Sequence, residues 1–158
     1  MDLNQFIELY RLVEASPKPA AIAFQEIGGD PDLAAHCGEV MANIFTRLGA
    51  VGLVSDCGVR DLPEVHRLGF HYFARGSVAS HAHFRIARVG GPIQIHGMVV
   101  QPRDLLFGDE YGVLQIPPGS EEELPRAIDT VREREGKLLH FVRSDKFTLD
   151  GLKNMVVE

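Results

Sequence analysis

Residues 20–61 read AAIAFQEIGGDPDLAAHCGEVMANIFTRLGAVGLVSDCGVRD, and the order of apolar runs and breakers within them decides the fold. Ala20 to Phe24 is a short apolar run between Pro19 and Gly28-Gly29, the pattern of a buried strand. Asp30-Pro31 supplies a side-chain acceptor and a proline where a helix can begin. Val40, Met41, Ile44, Phe45 and Leu48 then recur at helical spacing, and Gly49 ends the helix. Val51 to Ser55 reads as a second buried strand. Strand, helix and strand at this spacing form a βαβ unit, so part of the sheet is parallel and its crossover right-handed.

Towards the amino terminus, Leu3, Phe6, Ile7, Leu9, Tyr10 and Val13 mark a helix that Ser16-Pro17 stops. Towards the carboxyl terminus, Leu62, Val65 and Leu68 mark a short helix ended by Gly69, followed by a strand over Phe70 to Ala74. After Gly76 the character changes to short β-type runs: Phe84 to Val89, Ile93 to Ile95, Met98 to Val100, Leu105 to Phe107 and Val113 to Ile116. His96-Gly97 reads as a tight hairpin, and Pro102-Arg103-Asp104 and Gly108-Asp109 as turns. Ser120 with Glu123 has the pattern of a capping box opening a long helix that carries Leu124, Ile128 and Val131 on one face. A last amphipathic piece spans Thr148 to Val156. The expected class is α/β: a βαβ unit, a compact β-rich section and C-terminal helices in one domain over 1–158.

The chain has 158 residues, long enough for one buried core and too short for two. Its net charge is -6 with no basic run, which argues against direct nucleic-acid binding. No stretch approaches the roughly 20 apolar residues that span a bilayer, and the first residues carry no signal-peptide pattern. A cytoplasmic location and no membrane partner are therefore expected. Cys37 and Cys57 share no metal-type spacing and read as small buried thiols.

The chemistry gathers where the strand Val51 to Ser55 runs into Asp56-Cys-Gly58-Val-Arg60-Asp61. In α/β sheets, ligands collect beyond the carboxyl ends of strands. Arg60 offers a planar fork of donors for a carboxylate, and Asp61 is a hard oxygen ligand; the same two residues also read as a simple surface ion pair. Glu39 lies on the preceding helix. A helix starting at Asp30 ties the Val40 and Met41 amides into its own ladder, whereas one starting near Gly38 leaves them open to an anion. Glu64 follows Asp61 by three residues and shares its helix face, or is a solvated acid.

Glu39, twenty intervening residues, Arg60-Asp61, two residues and Glu64 resemble the acid-x20-Arg-Asp-x2-acid signature of the RraA-like proteins. That superfamily includes the class II 4-hydroxy-4-methyl-2-oxoglutarate/4-carboxy-4-hydroxy-2-oxoadipate aldolases. Gly38-Glu-Val-Met-Ala, Gly49-Ala-Val-Gly-Leu-Val, Gly58-Val-Arg-Asp-Leu, Leu68-Gly-Phe, Phe73-Ala-Arg-Gly76, Pro102-Arg-Asp-Leu and Gly108-Asp-Glu-Tyr-Gly-Val resemble further blocks in the same order. The resemblance covers about 19–135 and leaves 136–158 as a C-terminal helical extension. It implies a swivelling β/β/α-type domain assembled as a homotrimer or dimer of trimers. It also implies a divalent cation, Mg2+ or Mn2+, and a small 2-oxo-acid substrate.

Carried over by position, Asp61 binds the metal and Glu39 takes part through metal-held water. Arg60 holds the oxo-acid and offsets enolate charge, the amides of Val40 and Met41 receive the carboxylate, and Glu64 supports. The expected reaction is retro-aldol cleavage of a 4-hydroxy-2-oxo acid to pyruvate, with oxaloacetate decarboxylation through the same enolate. A hard cation and a guanidinium suit that developing charge, and the absence of lysine from the set argues against a Schiff base.

The alternative is a non-catalytic regulator acting by protein contact, of the ribonuclease E inhibitor type. Such family members lack the Asp of the Arg-Asp pair, so Asp61 favours the enzyme. A methyltransferase label used in the family finds no glycine-rich nucleotide loop here. Relative to the family pattern the chain lacks the usual amino-terminal portion, and Glu39 stands where many aldolases have Asp. Arg103 and His96 replace turn glycines. His81 and His83 alternate as metal ligands can, or are surface histidines. His36 is a candidate for lining the pocket. Gly28-Gly29-Asp30 reads as an anion cradle or, more simply, as a strand-to-helix turn.

Overall fold

The apolar stripe of the first helix, α1 (Leu3–Ala15), buries Phe6, Leu9 and Val13 and leaves Glu8, Arg11 and Glu14 exposed. A computed structural model describes residues 3–81 and 85–157, which divide into two units, Met1–Gln115 and Ile116–Glu158. In the first unit α1 is followed by β1 (Ala20–Phe24), β2 (Ala35–Cys37), α2 (Glu39–Arg47), β3 (Ala50–Ser55), β4 (Gly58–Val59), α3 (Leu62–Arg67), β5 (His71–Phe73) and β6 (Gly76–Ser77). The odd-numbered strands form one parallel sheet, in the order β1-β3-β5. The even-numbered ones form a second parallel sheet, β2-β4-β6. The chain thus gives one strand to each sheet in turn. The mixed α/β class read from the sequence holds.

Phe45, Leu53, Val59 and Val65 are all but fully buried and tie helices and sheets into one core. Phe45 sits at its centre, with ring centroids of Tyr10, Phe24 and Phe70 at 5.8, 6.2 and 6.4 Å. Burying one such side chain is worth about 1.5–3 kcal/mol, so α2 is held chiefly by this aromatic knot.

The helix expected from Asp30 does not begin there. Asp30 O accepts the amides of Leu33 and Ala34, which closes a turn. Ala35, His36 and Cys37, all buried, are drawn into β2. Pairing of Ala35 with Gly58 and Cys37 with Val59 outweighs local helix signals. Gly38 then caps α2 in an extended conformation (φ -137, ψ -171), so the helix starts at Glu39.

Further along, β7 (Ile93–Ile95) and β8 (Met98–Val100) form the expected antiparallel hairpin. Its turn residues His96 and Gly97 have φ 47 and 89, as a primed turn requires. Arg103 also has a positive φ, 77, so both turn substitutions sit in the left-handed region, where a side chain costs about 1 kcal/mol. Strands β9 (Leu105–Asp109) and β10 (Gly112–Ile116) pair around a turn at Glu110-Tyr111, not at Gly108-Asp109. Asp109 Oδ1 accepts the Tyr111 amide at 2.9 Å and so organises the turn one step later. Gly108 is a strand residue crossed by the Phe73 ring; a Cβ there would lie 2.5 Å from its Cζ. No strand forms over 85–89. Ile86 and Val89, three apart, pack on the core from an irregular segment, and Phe84 lies outside the described residues.

In the second unit, α4 (Leu124–Val142) begins four residues after Ser120, and the capping box does not form. Ser120 Oγ donates to Pro117 O at 2.6 Å, which removes it from the helix start. Ile128 and Val131 remain exposed on α4. A short helix α5 (Leu149–Val157) follows, with the Phe141 and Phe147 rings 5.8 Å apart before it. Among the described residues no helix is long and apolar enough to cross a membrane.

Candidate metal and oxo-acid site

Strands β2 and β4 lie side by side and end together; the Arg60 amide donates to Cys37 O at 3.0 Å beyond their last paired residues. From this shared end one chain segment becomes Gly38 and α2, and the other becomes Arg60, Asp61 and α3. Asp61 is the residue before α3 and has φ 59, ψ 40, a left-handed conformation that Asp tolerates better than most. Its side chain does not cap its own helix. Instead Oδ2 accepts the Glu39 amide at 2.8 Å, so one helix's entry residue ties down the start of the other.

Arg60 Nε stands 3.7 Å from the same Oδ2, and both side chains are about one-third exposed, at 32% and 37%. An ion pair this open adds little to stability; its interest is chemical. Because α2 starts at Glu39, its first intrahelical bond is Ala42 N–H to Gly38 O. The amides of Val40 and Met41 therefore have no acceptor within the helix, and the positive end of its dipole faces the same place. Of the two helix starts considered from the sequence, the one near Gly38 is the one observed. Glu39 is exposed. Glu64 sits on the first turn of α3 with Oε1 3.5 Å from Arg67 Nη2, a loose surface pair.

Two features of this site were not singled out from the sequence. Gly38 has an ordinary φ, yet a Cβ on it would lie 2.6 Å from Asp61 Oδ2 and 2.8 Å from Arg60 Nε. Its value is room for the pair, which no local sequence signal announces. Beneath the site, the buried Tyr72 hydroxyl lies beside the Cys37 thiol. Burial, more than any neighbour, pushes the Cys37 thiol up to about 11. The thiol therefore stays protonated until the pH is well above its ordinary value of 9.0. We expect native Cys37 to react with iodoacetamide at pH 8 about 100-fold more slowly than in the urea-unfolded chain, through its smaller thiolate fraction alone. The native rate should keep rising as the pH climbs towards 11. Peptide mapping of the alkylated chain checks this; equal rates would refute a closed floor under the site.

The donors suit a hard divalent cation. Among the described residues Asp61 Oδ1 accepts no hydrogen bond, and the Glu39 carboxylate is exposed at the start of α2. Magnesium-type ions characteristically take one or two carboxylates and keep several waters, so a full protein cage is not needed.

The other expectations fall elsewhere. His36 is buried inside the protein between Ser55 and Glu26. Gly28-Gly29-Asp30 forms the turn, with the Gly29 amide already given to Glu26 Oε1 at 3.0 Å. His83, and with it the expected alternation with His81, lies outside the described residues.

A family model described as Aldolase/RraA, of the RraA-like proteins, matches residues 5–115. The chain belongs to the RraA-like family. Among relatives of this RraA-like chain is a Halalkalibacterium halodurans protein whose name proposes 4-hydroxy-4-methyl-2-oxoglutarate aldolase activity for it. The two are 32% identical over 133 residues, 80% of this chain and 62% of that protein. The chain thus spans less than two-thirds of that relative.

Solved structures agree in fold. A Pseudomonas syringae protein superposes with a TM-score of 0.74 at 23% identity, covering 91% of this chain and 67% of the other. Streptomyces coelicolor RraAS2, described as an unusual member of the RNase ES inhibitor RraA family, gives 0.68 at 21% identity, covering 85% and 68%. The RraA-like family thus holds both aldolase-named and inhibitor-named proteins.

Proposed function

We propose that this chain is a divalent-metal-dependent carbon–carbon lyase that cleaves a 4-hydroxy-2-oxo acid to pyruvate and decarboxylates oxaloacetate by the same chemistry. One observation carries the reading: the Asp61 carboxylate, the Arg60 guanidinium and the open start of α2 converge at the common end of β2 and β4. Asp61 and Glu39 would hold magnesium or manganese, which supplies positive charge to the oxygen that becomes an enolate.

The chain's own groups divide the remaining work. The amides of Val40 and Met41 bind the substrate carboxylate at the positive end of α2. Arg60 orients the 2-oxo group and stabilises the charge that grows on it during bond cleavage. Gly38 leaves space for these groups to meet. Glu64, within one turn of Asp61, supports the acidic edge of the site. The relative named as an aldolase supports the substrate class.

A second reading is regulation by protein contact, supported by the resemblance in fold to an inhibitor-family structure. Large apolar side chains at the surface, among them Leu33, Val40 and Val51, support assembly with further copies as a trimer or dimer of trimers.

The deciding experiment follows pyruvate release from 4-hydroxy-4-methyl-2-oxoglutarate and from oxaloacetate. Magnesium or manganese is expected to support turnover, and a chelator to stop it until the metal is restored. Turnover indifferent to chelator would sink the metal reading. No turnover on any 2-oxo acid, with tight binding to a ribonuclease, would establish the regulatory one.

A further inference from the structure

We propose that Glu26, His36 and Cys57 form a second metal site, separate from Asp61 and suited to a zinc-class divalent ion. Each residue offers one ligand atom, and the carboxylate oxygen, ring nitrogen and thiol sulfur all lie within 4.8 Å of one another. Glu26 comes from the loop after β1, His36 from the middle of β2 and Cys57 from the link between β3 and β4. The chain leaving the carboxyl ends of β1 and β3 thus meets a residue of β2.

The outer contacts prepare these groups for a metal. Ser55 Oγ lies 2.8 Å from His36 Nδ1, fixing the ring so that Nε2 faces Glu26 Oε2, also at 2.8 Å. A partner on one ring nitrogen that orients the other is the usual arrangement behind a metal-bound histidine. Glu26 is set in turn: Oε1 accepts the Gly29 amide at 3.0 Å, and its own amide donates to Asp56 Oδ1 at 2.7 Å. His36 is 5% exposed, and Cys57 is fully buried with Sγ 3.0 Å from Ala34 O.

A carboxylate held in so enclosed a place gains from a cation, and the nearby Arg75 is already engaged with Asp32 through both Nε and Nη2. One thiolate, one imidazole and one carboxylate make a mixed soft-hard set. It prefers zinc or cobalt over magnesium and leaves one tetrahedral position for solvent. On binding, the thiol proton leaves to solvent and the ring proton that Glu26 accepts from Nε2 gives way to one on Nδ1, accepted by Ser55 Oγ, so that sulfur–metal and nitrogen–metal bonds replace the two hydrogens. The ion would clasp the 25–34 loop to both sheets. The inference does not rest on the lyase reading.

Cobalt(II) added to the metal-free full chain tests it. One equivalent should produce tetrahedral visible bands with a thiolate charge-transfer band. Asp61→Asn and Cys37→Ala should keep that band, Cys57→Ala should lose it, and excess magnesium should not displace the ion. Glu26→Gln, which preserves the shape of the side chain, should weaken binding at least tenfold. A parent chain without the charge-transfer band overturns the site, as does a band that survives Cys57→Ala or vanishes in Cys37→Ala. Should Cys57→Ala fail to fold, the parent chain decides. One equivalent of zinc must then slow alkylation of Cys57 while leaving Cys37 unchanged, and equal effects on both thiols overturn the site.

Discussion

Asp61→Asn is expected to lower kcat/KM for pyruvate release about 10²–10³-fold, the scale for removing one charged group aimed at the reacting centre, while the chain stays folded. Asparagine is the informative replacement for two reasons. Residue 61 has φ 59, where asparagine is as comfortable as aspartate and alanine is strained. The amide oxygen of asparagine can also still accept the Glu39 N–H that Asp61 Oδ2 takes at 2.8 Å, so α2 keeps its start. Only the charge is lost, and with it the hard ligand proposed for the metal. Kinetics paired with a thermal melt check this. Full activity in a folded Asp61→Asn chain would refute the proposed role of this carboxylate.

Gly38→Ala should cost more in activity than in stability. Its backbone (φ -137, ψ -171) suits any residue, so alanine brings no conformational strain. The new methyl group instead lands 2.6 Å from Asp61 Oδ2 and 2.8 Å from Arg60 Nε, so both side chains must shift, and Oδ2 does so at the expense of its bond to the Glu39 amide. Movement on the order of 1 Å at a reacting centre can cost about 10²-fold in rate. We therefore expect kcat to fall about 10²-fold while the chain stays folded, with a modest drop in melting temperature from the poorer cap of α2. A variant with parental kcat would show that the space over Gly38 has no role in turnover.

The alternation of buried strand, helix and buried strand was legible because each run was long enough to show its period and was bounded by Gly or Pro. The same holds for α1, for the β7–β8 hairpin and for the Glu39, Arg60-Asp61 and Glu64 spacing. The second sheet was not legible. Its strands are two or three residues long, too short for any periodicity, and they form only because neighbours from distant chain segments pair with them. Asp30-Pro31 gave a sound local signal for a helix start and lost to that pairing. The capping box failed similarly, when Ser120 turned back to Pro117 O. Gly38 and the Glu26, His36 and Cys57 cluster were invisible for a related reason: each acquires meaning only through atoms contributed by other elements.

The two interleaved sheets also explain why the signature has the length it has. Glu39 and Arg60-Asp61 are neighbours in space because β2 and β4 pair, whereas the residues between them make one excursion through α2 and β3. That excursion turns at Gly49, in a left-handed conformation at the far end of α2 from the site. The spacing thus measures the trip, not the chemistry. Residues added at that turn would lengthen the interval without parting Asp61 from the Glu39 amide. A relative with an odd interval could keep the same site, and one with the right interval could lack it.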